Sequence, residues 1–394
     1  MKRKITLLAF SISCFFALCW GQTWDLTVTM KATLDKNILT ISTTKDAEEM
    51  PDFDWISTPW YANNALIHSV VIKESITSIG VLSFQHCTNL TSVTMPDMIK
   101  SIGAWAFYNC YSLTSVTIPK GVTTIGNAAF KMCPKLTEVE IPALVSFIGP
   151  EVFTECHLLK VIKVHADNTV FSSSEGILYN KNKTTLLIYP EGKDDKTFVI
   201  PSTVVKIEDS AFYQSMLESV TIPNSVTTIG SNAFWYCTHL TFLTIPKSVK
   251  EIGYDAFDNC TGLEEVTVEW STPLSVPTGI FDNVNTSVVT LKVPNGTKTL
   301  YQTADVWKTF GTIAEYEFSG NEKIKAPALK VFASNGILHI TGLQPGKPLY
   351  IYSLAGQLLY HGTAMAEEAH IPFDRRGFCI VISGEQRVKT NIIM

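Results

Sequence analysis

Apolar residues recur along this chain in a fixed rhythm. In the stretch Leu113 to Cys133, LTSVTIPKGVTTIGNAAFKMC, the apolar positions Leu113, Val116 and Ile118 alternate with serine and threonine. Val122 and Ile125 then face inward from a second, shorter segment, and Phe130 and Cys133 follow three apart. Alternation of period two predicts a short strand with one buried face. Pro119 ends the first strand, because it has no N–H to donate. Gly126 allows a turn or a close approach that a side chain would obstruct. The spacing of Phe130 and Cys133 predicts up to two turns of helix with both residues inside.

The unit repeats. Phe84, Phe107, Phe130 and Phe153 are each 23 residues apart, and so are Cys87, Cys110, Cys133 and Cys156. Gly80, Gly103, Gly126 and Gly149 keep the same step, and the unit returns at Phe212, Phe234, Phe257 and, loosely, Phe281. Three residue types locked to one such period predict a solenoid of stacked coils. The expected fold is mostly β with short helices: right-handed coils with a parallel strand ladder, spanning residues 66–318.

The flanks do not repeat. Residues 22–65 read as an N-terminal β cap: LTVTMKATLD and ILTISTT are two strands with a turn at Asp35, Lys36 and Asn37. MPDFDWISTPWY follows, and its aromatics cover the first coil, which would otherwise expose core and sheet edge. Trp55, Trp60 and Tyr61 are alternatively a ligand-stacking site. Between Phe153 and Phe212 the repeat is interrupted for 59 residues by a coil near 165–200 bearing a hairpin around Asn180 to Lys183. In the next coil Ser215 replaces the cysteine and Glu208 the glycine. A short helix around Tyr301 to Phe310 closes the stack. Residues 319–327 read as a polar linker, and residues 328–394 as alternating strands between glycine turns, a small C-terminal β-sandwich.

Composition narrows the function. The net charge of -5 and the lack of a basic cluster past the first four residues exclude a phosphate-tracking surface, so no nucleic-acid partner is expected. Lys2, Arg3 and Lys4 precede an apolar run from Ile5 to Trp20, which reads as a secretory signal over residues 1–21. A lipoprotein reading would use Cys19 or Cys14, but Leu18 before Cys19 is larger than that signal prefers. No second apolar run of membrane length follows, so no transmembrane span is expected in the mature chain. The expected location is secreted or on the outer cell surface. Six of the nine cysteines, Cys87, Cys110, Cys133, Cys156, Cys237 and Cys260, occupy one repeat position. A ladder of buried free thiols fits that placement better than disulfides. No C-x-x-C pair points to zinc. His86, His157 and His239 read as surface residues.

No phosphate loop, H-E-x-x-H helix, G-x-S-x-G elbow or EF-hand loop occurs. The acid pairs Glu48–Glu49, Asp194–Asp195, Glu264–Glu265 and Glu367–Glu368 lie in polar surroundings and read as solvated. No catalytic residue, cofactor or metal site is expected, and the chain does not read as an enzyme. The outward positions of the repeated strand form the candidate binding face: Ser92, Thr94, Ser115, Thr117, Glu138, Glu140, Ser219, Thr221, Phe242, Thr244, Glu265 and Thr267. About eight coils at the ~4.8 Å strand spacing make it roughly 40 Å long. Such a flat, hydroxyl-rich face suits a protein or an extended glycan better than a small substrate. Serine and threonine are also simply good exposed strand formers. Trp105, Tyr108, Trp235, Tyr236 and Tyr254 form a second candidate surface.

The unit L-T-S-V-T-I-P-x-x-V-T-x-I-G-x-x-A-F-x-x-C closely resembles the BspA-like leucine-rich repeat family of bacterial surface proteins. ILTIST, MPDF and PWY resemble the lead-in of that family, and SSSEGILYNKNKTTLLIYP resembles its hairpin variant. The C-terminal unit, with IYSLAGQLL and GFCIVI, resembles sorting domains read by the type IX secretion system of Bacteroidetes. The first resemblance implies an adhesin that contacts extracellular matrix proteins, glycans or other bacteria. The second implies a contact with secretion machinery. Neither motif defines binding residues, so none is carried over. A non-catalytic surface scaffold and a glycan-capture accessory protein are the alternatives.

Overall fold

The computed structural model describes residues 21–316 and 329–392, the latter apart from short stretches at 335–336, 344, 354–357, 365, 373–376 and 384–385. The apolar run of the expected leader and the expected linker lie outside the described residues. The chain divides into two units after Tyr316.

The first unit is a β-solenoid of about 11 turns with parallel ladders. Each regular coil has three sides. The first is a strand such as Glu138–Ile141 or Phe242–Ile245, whose alternate residues are buried. A proline ends it, and the proline carbonyl accepts a bond from the residue three positions on, as in Val122 N to Pro119 O (3.1 Å) and Val249 N to Pro246 O (3.1 Å). The second side is a two-residue strand such as Thr124–Ile125 or Thr228–Ile229. A glycine follows, and it is there for closeness: a Cβ on Gly126 would lie 2.4 Å from Ala104 N and 2.7 Å from Gly103 C. Larger residues would hold the coils apart at this edge.

The third side carries Phe and Cys and is not helical. It is a stacked double turn. Two residues per coil, four apart, have left-handed backbone: Trp105 and Asn109, Ala128 and Met132, Asn232 and Tyr236, Asp255 and Asn259. Alternate amides leave the coil, as in Phe107 N to Ala129 O (2.8 Å) and Asn109 N to Lys131 O (2.9 Å). The amides between them close three-residue turns, as in Tyr108 N to Trp105 O (3.1 Å). A helix would spend all of these donors within one coil. Here half of them tie coils together, which offsets the cost of left-handed residues, about 1–2 kcal/mol each. The sequence spacing of three fits both geometries.

Inside, one aromatic per coil stacks on the next. Phe107 and Phe130 lie 5.2 Å apart and 4° from parallel, and Phe212 and Phe234 lie 4.7 Å apart at 5°. Trp60 extends the stack at its start, 6.0 Å from Phe84 at 20°, fully buried, with Nε1 donating to Ser83 O. Trp60 is therefore a cap, whereas Trp55 and Tyr61 remain exposed. Tyr189 fills the ring slot of the hairpin coil, 5.2 Å from Phe212 at 26°. At the far end Trp307 and Phe310 turn edge-on to Phe281, at 72° and 90°. The rings thus form two stacks, from Trp60 to Phe153 and from Tyr189 to Phe281 and its closing rings, and the cap and hairpin coils bring the solenoid to about 11 turns where about eight were expected. The closing helix is Lys298–Tyr301, earlier than the sequence pattern placed it, with a 3-10 turn at Trp307–Thr309.

The six cysteines of the repeat are free and buried. Cys110, Cys133, Cys156, Cys237 and Cys260 each direct Sγ to the carbonyl of the phenylalanine one coil back, at 3.0–3.3 Å. Burial pushes the Cys110, Cys133 and Cys156 thiols above their ordinary pKa.

The interruption is a three-stranded antiparallel meander, Phe171–Ser174, Ile177–Asn180 and Thr185–Ile188. Its central strand is buried on both faces: Leu178 packs into the core before it, and Ile177 and Tyr179 into the core after it. The solenoid thus has two cores with a strand as partition. The N-terminal strands Met30–Asp35 and Ile38–Thr43 pair antiparallel around Lys36 (φ 44°) and Asn37 (φ 67°), the geometry of a tight hairpin.

The second unit has a three-stranded sheet (Lys330–Ser334, Ile337–Thr341, Glu368–Pro372) and a four-stranded one (Leu358–Thr363, Pro348–Ser353, Gly377–Ser383, Gln386–Ile392), all antiparallel. Leu338, Ile340 and Ile371 of the first meet Leu349, Ile351 and Val381 of the second in one core. That is a small β-sandwich.

Candidate binding surface

The structure gathers half of the candidate face into one ladder. Ser219, Phe242 and Glu265 pair in one row, which Thr197 begins and Thr290 and Thr312 continue. Thr221, Thr244 and Thr267 form the neighbouring row, continued by Lys292. Inward residues Val220, Leu243 and Val266 alternate with them and are buried. Phe242 stands out: the residue is 52% exposed, although the core side of its strand is already filled by Leu243 and Ile245.

The other half is divided. Ser92 and Thr94 end a sheet that begins in the N-terminal cap. Ser115 and Thr117 are exposed on a coil that carries no ladder strand on this side. Glu138 and Glu140 pair with Val161 and Lys163 in a separate two-stranded sheet. The meander separates this group from the row that starts at Thr197.

The face is charge-compensated by lysines that the serine–threonine pattern did not single out. Lys163 Nζ reaches Glu138 at 2.7 Å, and Lys292 Nζ reaches Glu265 at 2.8 Å. Lys163 stands 23 residues after Glu140, so the period itself was the signal.

The second surface lies on the turn ladder. Tyr213 stacks on Trp235 at 4.7 Å and 21°, and Trp235 also meets Tyr236 at 4.7 Å. Trp235 Nε1 donates to Asp258 Oδ2 at 2.8 Å, while Asn259 and Asn283 hold the other carboxylate oxygen. Tyr254 is 70% exposed. Trp105 is apart from this group, and Tyr108 joins a separate cluster with Trp55 and His86.

Between the coils of Phe153 and Tyr189 lies a plugged break in the turn ladder. The amide of Glu155 has no regular coil after it and donates instead to Glu191 Oε1 at 2.7 Å. Glu191 Oε2 accepts from His157 Nδ1 at 3.0 Å. Burial holds the Glu191 carboxyl above its usual range, and its hydrogen bond to His157 raises the imidazole. His157 is thus half-exposed and structurally engaged. Glu191 was legible only through Tyr189, which stands 23 residues before Phe212 and marks a coil where no phenylalanine does.

Among the described residues, no group of three or more His, Cys, Asp or Glu is placed to hold a metal ion. No helix among them is long and apolar enough to cross a membrane.

A solenoid of short strands with one aromatic, one glycine and one cysteine slot per coil is a leucine-rich-repeat protein. Residues 55–183 and 192–306 match the BspA type Leucine rich repeat region in 6 copies, and the chain belongs to that family. It is similar to a leucine-rich repeat protein from Eubacterium ventriosum known by crystal structure, at 30% identity over 70% of this chain and 78% of that one, with a TM-score of 0.59. More distant matches are a leucine rich cell surface protein from Faecalibacterium prausnitzii (22% identity, 76% of this chain and 96% of that one, TM-score 0.46) and a leucine-rich repeat protein from Bacteroides ovatus (21%, 74% and 77%, TM-score 0.47). No curated protein matches the chain.

Proposed function

We propose that this protein is an exported binding module of the cell surface, which contacts an extracellular protein or glycan along the ladder that carries Phe242. Membership of the BspA-type family supports the surface location, as do the charged and apolar stretches at the start of the sequence. The observation that carries the binding role is the ring of Phe242. It is half in solvent, between Ser219 and Glu265, on a strand whose core is complete without it. Exposed aromatic residues ringed by small polar ones are the usual anchors of protein interfaces.

The test is a binding screen of the secreted chain against immobilised fibronectin, fibrinogen, collagens, mucins and a glycan array. A saturable ligand whose affinity falls at least about tenfold in Phe242→Ser, a loss of roughly 1.4 kcal/mol, supports the reading. A folded protein that binds none of them and self-associates instead points to a scaffold.

The C-terminal sandwich acts in this proposal as the export or anchoring signal, through the secretion machinery. Deletion of residues 326–394 is expected to leave the solenoid folded and to abolish surface display. Normal display of the shortened chain would remove that part of the proposal.

A further inference from the structure

The C-terminal sandwich carries a pair of histidines that the binding role does not use. His339, on the central strand Ile337–Thr341, is directly opposite His370 on Glu368–Pro372. Their neighbours Leu338, Ile340 and Ile371 point into the core, so both imidazoles stand on the outer face of the sheet. The two Nδ1 atoms are 3.0 Å apart, and the ring centroids 4.9 Å.

Two neutral imidazoles at this distance share one hydrogen bond, Nδ1–H to Nδ1. The same separation is that of two ligands on one ion. With metal–nitrogen bonds of roughly 2.0–2.1 Å, nitrogens this far apart subtend about 90–95° at the metal. A right angle belongs to square-planar and octahedral coordination, whereas tetrahedral zinc opens the pair wider. The strand pairing sets the two imidazoles side by side before any ion is bound.

We propose that His339 and His370 form a cross-strand chelate for a divalent transition ion, with copper(II) preferred, nickel(II) next and zinc(II) weaker. Both Nδ1 lone pairs go to the ion. The ring that carried its proton on Nδ1 takes the other tautomer, with the proton on Nε2 and no net change of charge on either ring. The copper preference follows from the angle and from the general order of affinities of nitrogen ligands.

The experiment is a calorimetric titration of the metal-stripped full chain with copper(II), nickel(II) and zinc(II), with His339→Asn, His370→Asn and the double variant alongside. Each single variant is expected to weaken copper binding roughly 100-fold, the lower end of the gain from joining two binding groups. The double variant should bind copper no more tightly than either single variant. Equal copper affinity in the wild type and both single variants overturns the proposal, as does a loss confined to one of them. Should a variant fail to fold by circular dichroism, the wild-type protein decides. Copper(II) that broadens the imidazole proton resonances of His339 and His370 together supports the chelate. Broadening of neither, or of one alone, refutes it.

Discussion

Tyr189 stacks on Phe212 at 5.2 Å, in the slot that phenylalanine fills in the regular coils, and its hydroxyl donates to Asp195 Oδ2 at 2.9 Å. A tyrosine is tolerated here because the coil is irregular and a carboxylate reaches the ring's edge. Tyr189→Phe is expected to lose about 1 kcal/mol, the net worth of one hydrogen bond. Tyr189→Ala should lose about 3–5 kcal/mol, as for any buried ring. Urea denaturation measures both, and equal losses would mean that the hydroxyl, not the stack, holds the coil.

Phe107 lies between Phe84 at 5.3 Å and Phe130 at 5.2 Å. Phe107→Leu keeps most of the volume and should cost less than Phe107→Ala, for which about 3–5 kcal/mol is expected. An unchanged urea midpoint in Phe107→Ala would contradict a packing role.

Gly126 tests the glycine edge. Its Cβ would meet backbone atoms of the preceding coil, which have no rotamer to yield. Gly126→Ala should destabilise by about 3 kcal/mol, the upper part of the range for overpacking. Gly296, with open space around its Cβ but a φ of 77°, is the contrast: its cost arises from the left-handed backbone alone and should be nearer about 1 kcal/mol. Similar thermal midpoints for the two variants would count against contact between coils as the reason for the repeat's glycine.

The Glu191–His157 pair makes stability depend on pH. Both groups hold their protons more tightly in the folded chain than in the unfolded one. The stabilisation is therefore complete below the unfolded carboxyl pKa of about 4.3. It is lost as pH rises, first through the folded pKa of Glu191 and then through that of His157. Glu191→Gln keeps an acceptor for the Glu155 amide and removes the charge. Its urea midpoint should fall less between about pH 5 and about pH 8 than that of the wild type. Parallel pH profiles would show that this pair is not the source.

The buried thiols should be inert. In the native protein Cys87, Cys110, Cys133, Cys156, Cys237 and Cys260 are expected to resist alkylation and to react together on unfolding, as read by mass spectrometry. Rapid labelling of any one in the folded state would place its coil in an open conformation.

Residue order alone gives the period, the strand faces, and the buried ring, glycine and cysteine of the regular coils. Those features are local: residues 23 apart meet because every coil has one length, so a pattern in one dimension becomes a contact in three. Tertiary structure decided the rest. Phe130 and Cys133 at a spacing of three fit a helix or a double turn equally, and only the neighbouring coil's carbonyls selected the turn. The candidate face was legible residue by residue, but its division was not. The meander places Leu178 in one core and Tyr179 in the next, which depends on what lies on both sides of a strand at once. Glu191 reaches the Glu155 amide 36 residues away for the same reason: the period marks Tyr189 beside it, but not that the broken ladder needs its carboxylate.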